Sequence, residues 1–326
     1  MSWGHLIREI GRGAHGSRDL DIEQASLLFG AMLDGGVPEL ELGAIALAMR
    51  MKTESSAELT GFYAALSGRV HRLTAPDNGV KPVVLPSYNG ARKQPNLVPL
   101  VAFALQRLGI PVLIHGLLEG NGRVASAYIF RELGLLPSAT LAQAQRSINS
   151  SKIAFVPTAV LSPGLAQLLA LRSRLGVRNS AHTVAKMIDP FEAGGMRLVA
   201  VTHPDYLDKQ KEVLQDIGGT SLLMRGSEGE PYAAPRRRPR IELIRDGYCE
   251  VLFEQEHMVV KEGDFVQHDI EAKATAAYIR SMLDGELPMP LPIVNQIACC
   301  LYACGYAEDL NQAKAIAAVE TRSFAA

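Results

Sequence analysis

The sequence predicts an α/β protein in two parts: a small all-helical domain over residues 1–75 and a larger α/β domain with a mostly parallel sheet over residues 80–326. Three observations lead there. Apolar residues recur at helical spacing through the first 67 residues; short β-branched runs alternate with longer helical runs from Val83 onward; and Asp77-Asn78-Gly79 punctuates the passage between the two patterns. With 326 residues, 48% of them hydrophobic and 21% charged, the chain is long enough to bury a sizeable core.

The spacing predicts helices at 4–10, 21–33, 38–51 and 55–67, as in Ala25, Leu28, Phe29, Met32 and Leu33. Gly11-Arg12-Gly13, Gly35-Gly36-Val37-Pro38 and Glu54-Ser55-Ser56 supply turns and caps between them. A helical unit this small needs another surface to cover its apolar stripes, and helices from about 164–188 are expected to join it. In the larger domain, strands are expected at Val83–Leu85, Val112–His115, Ile153–Val156, Leu198–Thr202 and Ser221–Met224. The intervening helices fall near 97–108, 123–134, 140–148, 164–175, 180–188 and 205–217, the last ended by Gly218-Gly219. Ile241–Ile244 and Cys249–Phe253 flank Asp246-Gly247 and read as a hairpin. An acidic segment, Glu250–Glu271, follows, and helices near 271–284, 293–304 and 309–319 close the chain. In an open sheet of this kind, ligands bind beyond the carboxyl ends of the strands, where the loops at 86–96, 116–122, 157–163, 203–204 and 225–240 gather.

No signal-peptide core and no uncharged apolar run of membrane-spanning length are present, so a cytoplasmic protein without a membrane partner is expected. Cys299, Cys300 and Cys304 share one apolar helix and Cys249 stands apart, so reduced thiols rather than metal ligands are expected, and neither a metal nor any other cofactor is called for. The net charge of −1 hides a strong asymmetry: residues 1–79 carry −3, residues 80–240 carry +10 and residues 241–326 carry −8. A basic body between acidic ends points to a polyanionic partner, unless the ends fold back and neutralise it.

The loop Pro86–Asn96, between the first strand and an apolar helix, contains Asn89-Gly90 and then Arg92-Lys93. Asn96 is a candidate N-cap, and Pro99 fits the first helical turn. Two readings stand side by side: a phosphate-binding loop whose unpaired N–H groups and helix dipole meet an anion, or a solvated βα connection. Pro235-Arg236-Arg237-Arg238-Pro239-Arg240 is expected to be an exposed basic loop. Tyr88 is placed to stack on an unpaired base or to pack on the helix below. His115 and His182 have no nucleophile or paired carboxylate set beside them by motif, so they read as structural histidines and no catalytic residue is assigned.

The opening helices, with Asp19-Leu20, Ala25, Gly36, Glu41, Ala46, Arg50, Lys52, Glu58 and Gly61, resemble the small domain of anthranilate phosphoribosyltransferase. Leu175-Gly176-Val177-Arg178 and Asp189-Pro190 extend the resemblance into the sheet domain, over roughly residues 4–230. The family's diphosphate loop, Gly-Thr-Gly-Gly-Asp, falls on Pro86-Ser87-Tyr88-Asn89-Gly90, and its Lys-His-Gly-Asn on Ile114-His115-Gly116-Leu117. Its magnesium-holding Asp-Glu pair falls on Pro231-Tyr232, and Arg172 falls where the anthranilate-binding arginine lies. Phosphoribosyl transfer uses backbone donors and magnesium to stabilise the departing pyrophosphate. With both lost, the resemblance implies the scaffold without the enzyme. The runs Pro86–Gln94 and Leu175–Thr183, with Cys299-Cys300, are more specifically similar to the YbiB-type, DNA-binding branch of that family.

That resemblance implies a homodimer, joined through the helical domain, that binds nucleic acid with little sequence preference. The candidate contacts are Asn89, Arg92, Lys93, Arg123, Arg174, Arg178, Arg236, Arg237 and Arg238, with Arg225 as a further cation. Two alternatives remain open: a phosphoribosyltransferase or phosphorylase-like enzyme on another substrate, and a scaffold whose basic face meets an acidic protein.

Overall fold

A computed structural model describes residues 3–13, 15–257 and 269–323. Four helices open the chain: α1 (Gly4–Ile10), α2 (Ile22–Leu33), α3 (Glu39–Lys52) and α4 (Ser56–Ser67). Two of them begin in capping boxes, Asp21 with Gln24 and Ser55 with Glu58, each satisfying two N–H groups that a helix start otherwise leaves open. Gly61 lets α4 lie on α2, since a Cβ there would come within 2.5 Å of the Ile22 carbonyl.

Next come β1 (Val83–Ser87), α5 (Val98–Arg107), β2 (Val112–Gly116), α6 (Ser126–Glu132), α7 (Leu141–Ser151) and β3 (Ile153–Pro157). They lead into α8 (Thr158–Leu161), α9 (Pro163–Leu175) and α10 (Ala181–Val184), which runs on as a 3₁₀ turn over Ala185–Met187. β4 (Met196–Val201), α11 (Asp205–Ile217), β5 (Thr220–Arg225), β6 (Arg237–Arg238), β7 (Ile241–Arg245), β8 (Tyr248–Phe253) and β9 (Glu256–His257) complete the strands. The chain closes with α12 (Ala272–Leu283), α13 (Leu291–Ala303) and α14 (Leu310–Ser323).

The main sheet has the order β3-β2-β1-β4-β5-β7-β8, parallel from β3 through β5 and antiparallel at β7 and β8. The α/β class and the mostly parallel sheet therefore hold. The strand alternation divides the interior into two cores. Val84, Leu113, Val199 and Leu223 face the side on which Leu28, Phe29, Phe62 and Leu66 of the helical unit pack, together with Leu165, Leu168 and Leu169 of α9. Val83, Val112, Leu198 and Leu222 face α5, α6, α12, α13 and α14 on the other side.

Two local expectations change. α8 replaces part of the loop expected at 157–163, because Thr158 to Leu161 turn immediately at the strand end. The exposed loop expected at Pro235–Arg240 contains a strand, with Arg237 opposite His257 and Arg238 opposite Glu256; both arginines are half-buried, and Pro239 is buried. Residues 258–268 of the expected acidic segment lie outside the described residues. Among the described residues, no helix is long and apolar enough to cross a membrane.

Candidate nucleic-acid interface

The parallel strands change direction of progress between β1 and β4: from β1 the chain builds outward through β2 and β3, then returns to add β4 and β5 on the other side. Loops diverge at such a switch point and leave a crevice. Here the crevice is a cavity of about 550 Å³. Its walls carry Asn89, Arg92, Lys93, Arg123, Arg178 and Arg237 among the sequence candidates, and Arg225 beside them.

The Pro86–Asn96 loop differs from an open anion cradle in one decisive respect. Its backbone donors are already taken by carboxylates of the chain itself, both from the tight turn after β5. Glu230 is fully buried; its Oε1 accepts from the Asn89 N–H at 2.5 Å and the Gly90 N–H at 2.8 Å, and its Oε2 accepts from Ser87 Oγ at 2.5 Å. Glu228 accepts from the Arg92 N–H at 3.1 Å and the Lys93 N–H at 2.9 Å, and pairs with the Arg123 guanidinium at 3.3 Å. The expectation of unpaired loop donors is thereby corrected: two glutamates stand where an external anion was expected. Gly229 between them makes the close approach possible, since a Cβ there would sit 1.8 Å from Asn89 Nδ2 and its φ is +85°. Asn96 is not the N-cap expected of it: Leu97 holds that place without a side-chain cap, and Asn96, one residue earlier, accepts at Oδ1 from the Val98 N–H at 3.2 Å.

The cations outnumber these carboxylates. Arg92 and Lys93 are exposed at the rim, and Arg172 and Arg178 are partly buried. Among the described residues, none of Arg50, Arg92, Lys93, Arg172, Arg178 and Arg237 takes part in an ion pair. Burial first, and then Arg172 and Arg123, pull the Arg178 pKa down to about 10, with Glu230 opposing them. Burial also lowers Lys186 to about 8, with Arg178 adding to the effect; its ammonium donates to the Ala200 carbonyl at 2.9 Å and the Gly229 carbonyl at 3.0 Å. His182, on the same wall, is lowered to about 3 by burial and then by Arg178 and Arg172, so it is neutral at pH 7. Two buried polar atoms on the walls, Asn89 Oδ1 and His182 Nε2, find no hydrogen-bond partner among the described residues. Crowded cations are costly in an unliganded protein and are relieved by a bound anion, whereas Asn89 Oδ1, an acceptor, needs a donor instead.

Other candidates lie elsewhere. Arg174 is not on the cavity wall: it stands exposed and grips Glu39 bidentately at 3.1 and 3.2 Å, tying α9 to the start of α3. Arg238 pairs with Glu256 at 2.7 Å and covers the Phe253 ring, while Arg240 pairs with Glu242 at 3.1 Å and Glu254 at 3.3 Å. Strand alternation sends Arg237 the other way, onto the cavity wall, where burial and then Arg225 lower its pKa. Arg236 is exposed beyond the wall. Tyr88 is 3% exposed and its hydroxyl meets His115 Nδ1 at 2.7 Å, so of its two readings it packs and does not stack on a base.

Sequence reasoning passed over Glu228, Glu230, Lys186 and the rim residue Arg50. The two glutamates carried a signal, since Gly226-Ser227-Glu228-Gly229-Glu230 puts carboxylates around an obligatory turn at a strand's carboxyl end. Lys186 carried none, being one cation on an otherwise ordinary helical stretch. No group of three or more His, Cys, Asp or Glu side chains arranged to hold a metal ion occurs among the described residues.

Residues 5–68 match the family described as glycosyl transferase family, helical bundle domain. The uncharacterized protein YbiB of Escherichia coli (strain K12) is 43% identical over 312 residues, spanning 95% of this chain and 97% of YbiB. Anthranilate phosphoribosyltransferase of Methanosphaerula palustris is 24% identical over 328 residues, 98% of this chain and 96% of the enzyme. The crystal structure of anthranilate phosphoribosyltransferase from Thermus thermophilus shares the fold at a TM-score of 0.76 and 20% identity, over 98% of this chain and 95% of that one. With more than two-fifths of its residues identical along nearly the whole length of both proteins, the chain belongs to the family of YbiB, built on the anthranilate phosphoribosyltransferase fold.

Proposed function

We propose that this protein binds nucleic acid, DNA and also RNA, through the phosphate backbone and without catalysis. The observation that carries the reading is the set of unpaired cations around the crevice at the strand ends: Arg50, Arg92, Lys93, Arg178 and Arg237 have no ion-pair partner among the described residues. Phosphate contacts of this kind supply affinity without reading bases, and they release counterions, so binding falls steeply with salt. The non-catalytic part rests on what fills the loop. Its donors are engaged by Glu228 and Glu230, and Pro231 and Tyr232 offer no carboxylate where the resemblance expects a magnesium pair. A polyanion of this class fits a cytoplasmic protein.

Fluorescence anisotropy with single- and double-stranded DNA and RNA of unrelated sequence, at two salt concentrations, tests the reading. Similar affinities across sequences and a steep loss with salt are expected. Saturable binding of one acidic protein with no affinity for any of these nucleic acids would remove it.

The reading includes a homodimer joined through the helical unit. Leu40, Ala44, Leu47 and Met51 recur at helical spacing along α3 and are all exposed, Leu40 at 84% and Met51 at 76%. Such a stripe on a charged protein calls for a partner, and a second copy pairs it with itself. The double variant Leu47→Asp, Met51→Asp is expected to halve the mass measured by light scattering; an unchanged mass places the interface elsewhere.

A further inference from the structure

The carboxylates that occupy the Pro86–Asn96 loop are held in different ways. Glu230 is sealed: it is wholly buried, and Ser87, Asn89 and Gly90 surround it with donors from three residues of one strand end. Glu228 lies at the edge of the crevice with its side chain 12% exposed, and its three donors are the Arg92 N–H, the Lys93 N–H and one Arg123 nitrogen at 3.3 Å. Two successive backbone N–H groups with a guanidinium behind them form a concave donor set of the kind that takes one tetrahedral oxyanion. The side chains of Arg92 and Lys93, at the same two residues, are free of ion pairs among the described residues.

We infer that the donor set of Arg92 N–H, Lys93 N–H and the Arg123 guanidinium is a phosphoryl-binding position that Glu228 holds closed, and that an incoming phosphate group displaces Glu228 into the crevice. This deepens the nucleic-acid reading and rests on it for the identity of the natural ligand, while the site itself requires only a phosphoryl oxyanion. Glu228 then acts as a built-in competitor. A lone small anion repays its displacement poorly, whereas a strand that also engages Arg178 and Lys93 repays it with several contacts made together. Such a device selects polyanions over the phosphorylated metabolites of a cell. Glu230 shares no part of the exchange, because its donors are closed off from the crevice.

The test uses Glu228→Gln, which keeps the side-chain length and removes the charge. Inorganic pyrophosphate is titrated by calorimetry and a labelled single-stranded oligonucleotide by anisotropy, against the parent protein. The variant is expected to bind both more tightly, by roughly tenfold at about 0.1 M salt, with the oligonucleotide salt slope steeper by about 0.7. Tighter pyrophosphate binding with no oligonucleotide binding by either protein supports the phosphoryl position and removes the nucleic-acid reading instead. A folded variant that binds neither probe more tightly than the parent overturns the inference. Should the variant fail to fold, amide resonances of the parent decide: both probes are expected to shift Arg92 and Lys93 saturably and to leave Asn89 and Gly90 in place. Unmoved Arg92 and Lys93 amides under saturating oligonucleotide would make Glu228 a fixed strut and end the proposal.

Discussion

Two arginine-rich regions border the same crevice and differ in what faces them. The ribbon of Arg236 to Arg240 is the densest run of positive charge in the chain, yet Glu256 takes Arg238 across a short strand pair, and Glu242, two residues along, and Glu254 take Arg240. The crevice has its cations scattered over five segments of sequence, and Glu228 and Glu230 engage its backbone donors more than its side chains. Local density of charge in a sequence is therefore a poor guide to free charge on a surface. Antiparallel pairing brings acidic residues onto a basic run, whereas a switch point gathers cations that no partner strand can neutralise.

Four measurements break or sharpen this contrast, the largest effect first. Glu230→Ala removes the buried acceptor of two amides and a hydroxyl and leaves Arg178 and Lys186 without their opposing charge; a loss of about 3 kcal/mol in urea unfolding is expected. If stability is unchanged, the crevice does not depend on its internal carboxylate. Arg92→Ala with Lys93→Ala is expected to preserve the unfolding midpoint and to flatten the slope of log affinity against log salt by about 1.8 on duplex DNA, which is two phosphate contacts. Parent-like affinity at both salt concentrations would remove the loop from the binding surface.

Lys186 supplies the third. Its folded pKa, near 8, lies below the ordinary value of 10.5, so between those values the unfolded chain holds a proton that the folded one has released. Stability from this group accordingly rises with pH across that window, while affinity for a polyanion falls as pH passes about 8. Unfolding at pH 7.5 and 9.5 is expected to show a smaller rise in Lys186→Met than in the parent; equal rises would mean that Lys186 titrates normally. Arg238→Ala with Arg240→Ala gives the smallest effect on binding: Glu242, Glu254 and Glu256 already hold these guanidinium groups, and nucleic-acid affinity at equilibrium is expected to change less than twofold, with any loss in the association rate at low salt. A large rise in dissociation rate would turn the ribbon from a neutralised edge into part of the grip.

Much of the architecture was legible along the chain, for reasons that are local. Val83–Ser87, Val112–Gly116 and Ile153–Pro157 are short β-branched runs buried on both faces, and α9 stops at Gly176 because its φ of +73° favours glycine. Asp246-Gly247 turns the hairpin because both residues hold positive φ, at 48° and 84°. Strand ends, caps and turns are decided by a few neighbouring residues, so a linear reading reaches them. The meeting of Arg92 and Lys93 with Arg225 and Arg237 at one crevice was legible as loops expected beyond the carboxyl ends of the strands, whereas Arg178, between two helices, lay outside those loops.

What the chain alone determined is thus an α/β scaffold with its loops at one end of a parallel sheet and a basic middle segment. What only the tertiary structure decided is which charges remain free. Glu228 and Glu230 reach the loop across more than 130 residues of sequence, Glu39 takes Arg174 from an equal distance, and Glu256 takes Arg238 across a strand pair. Electrostatic pairing depends on separation in space, falling off within a few ångströms of solvent, and a sequence orders residues by separation along the chain.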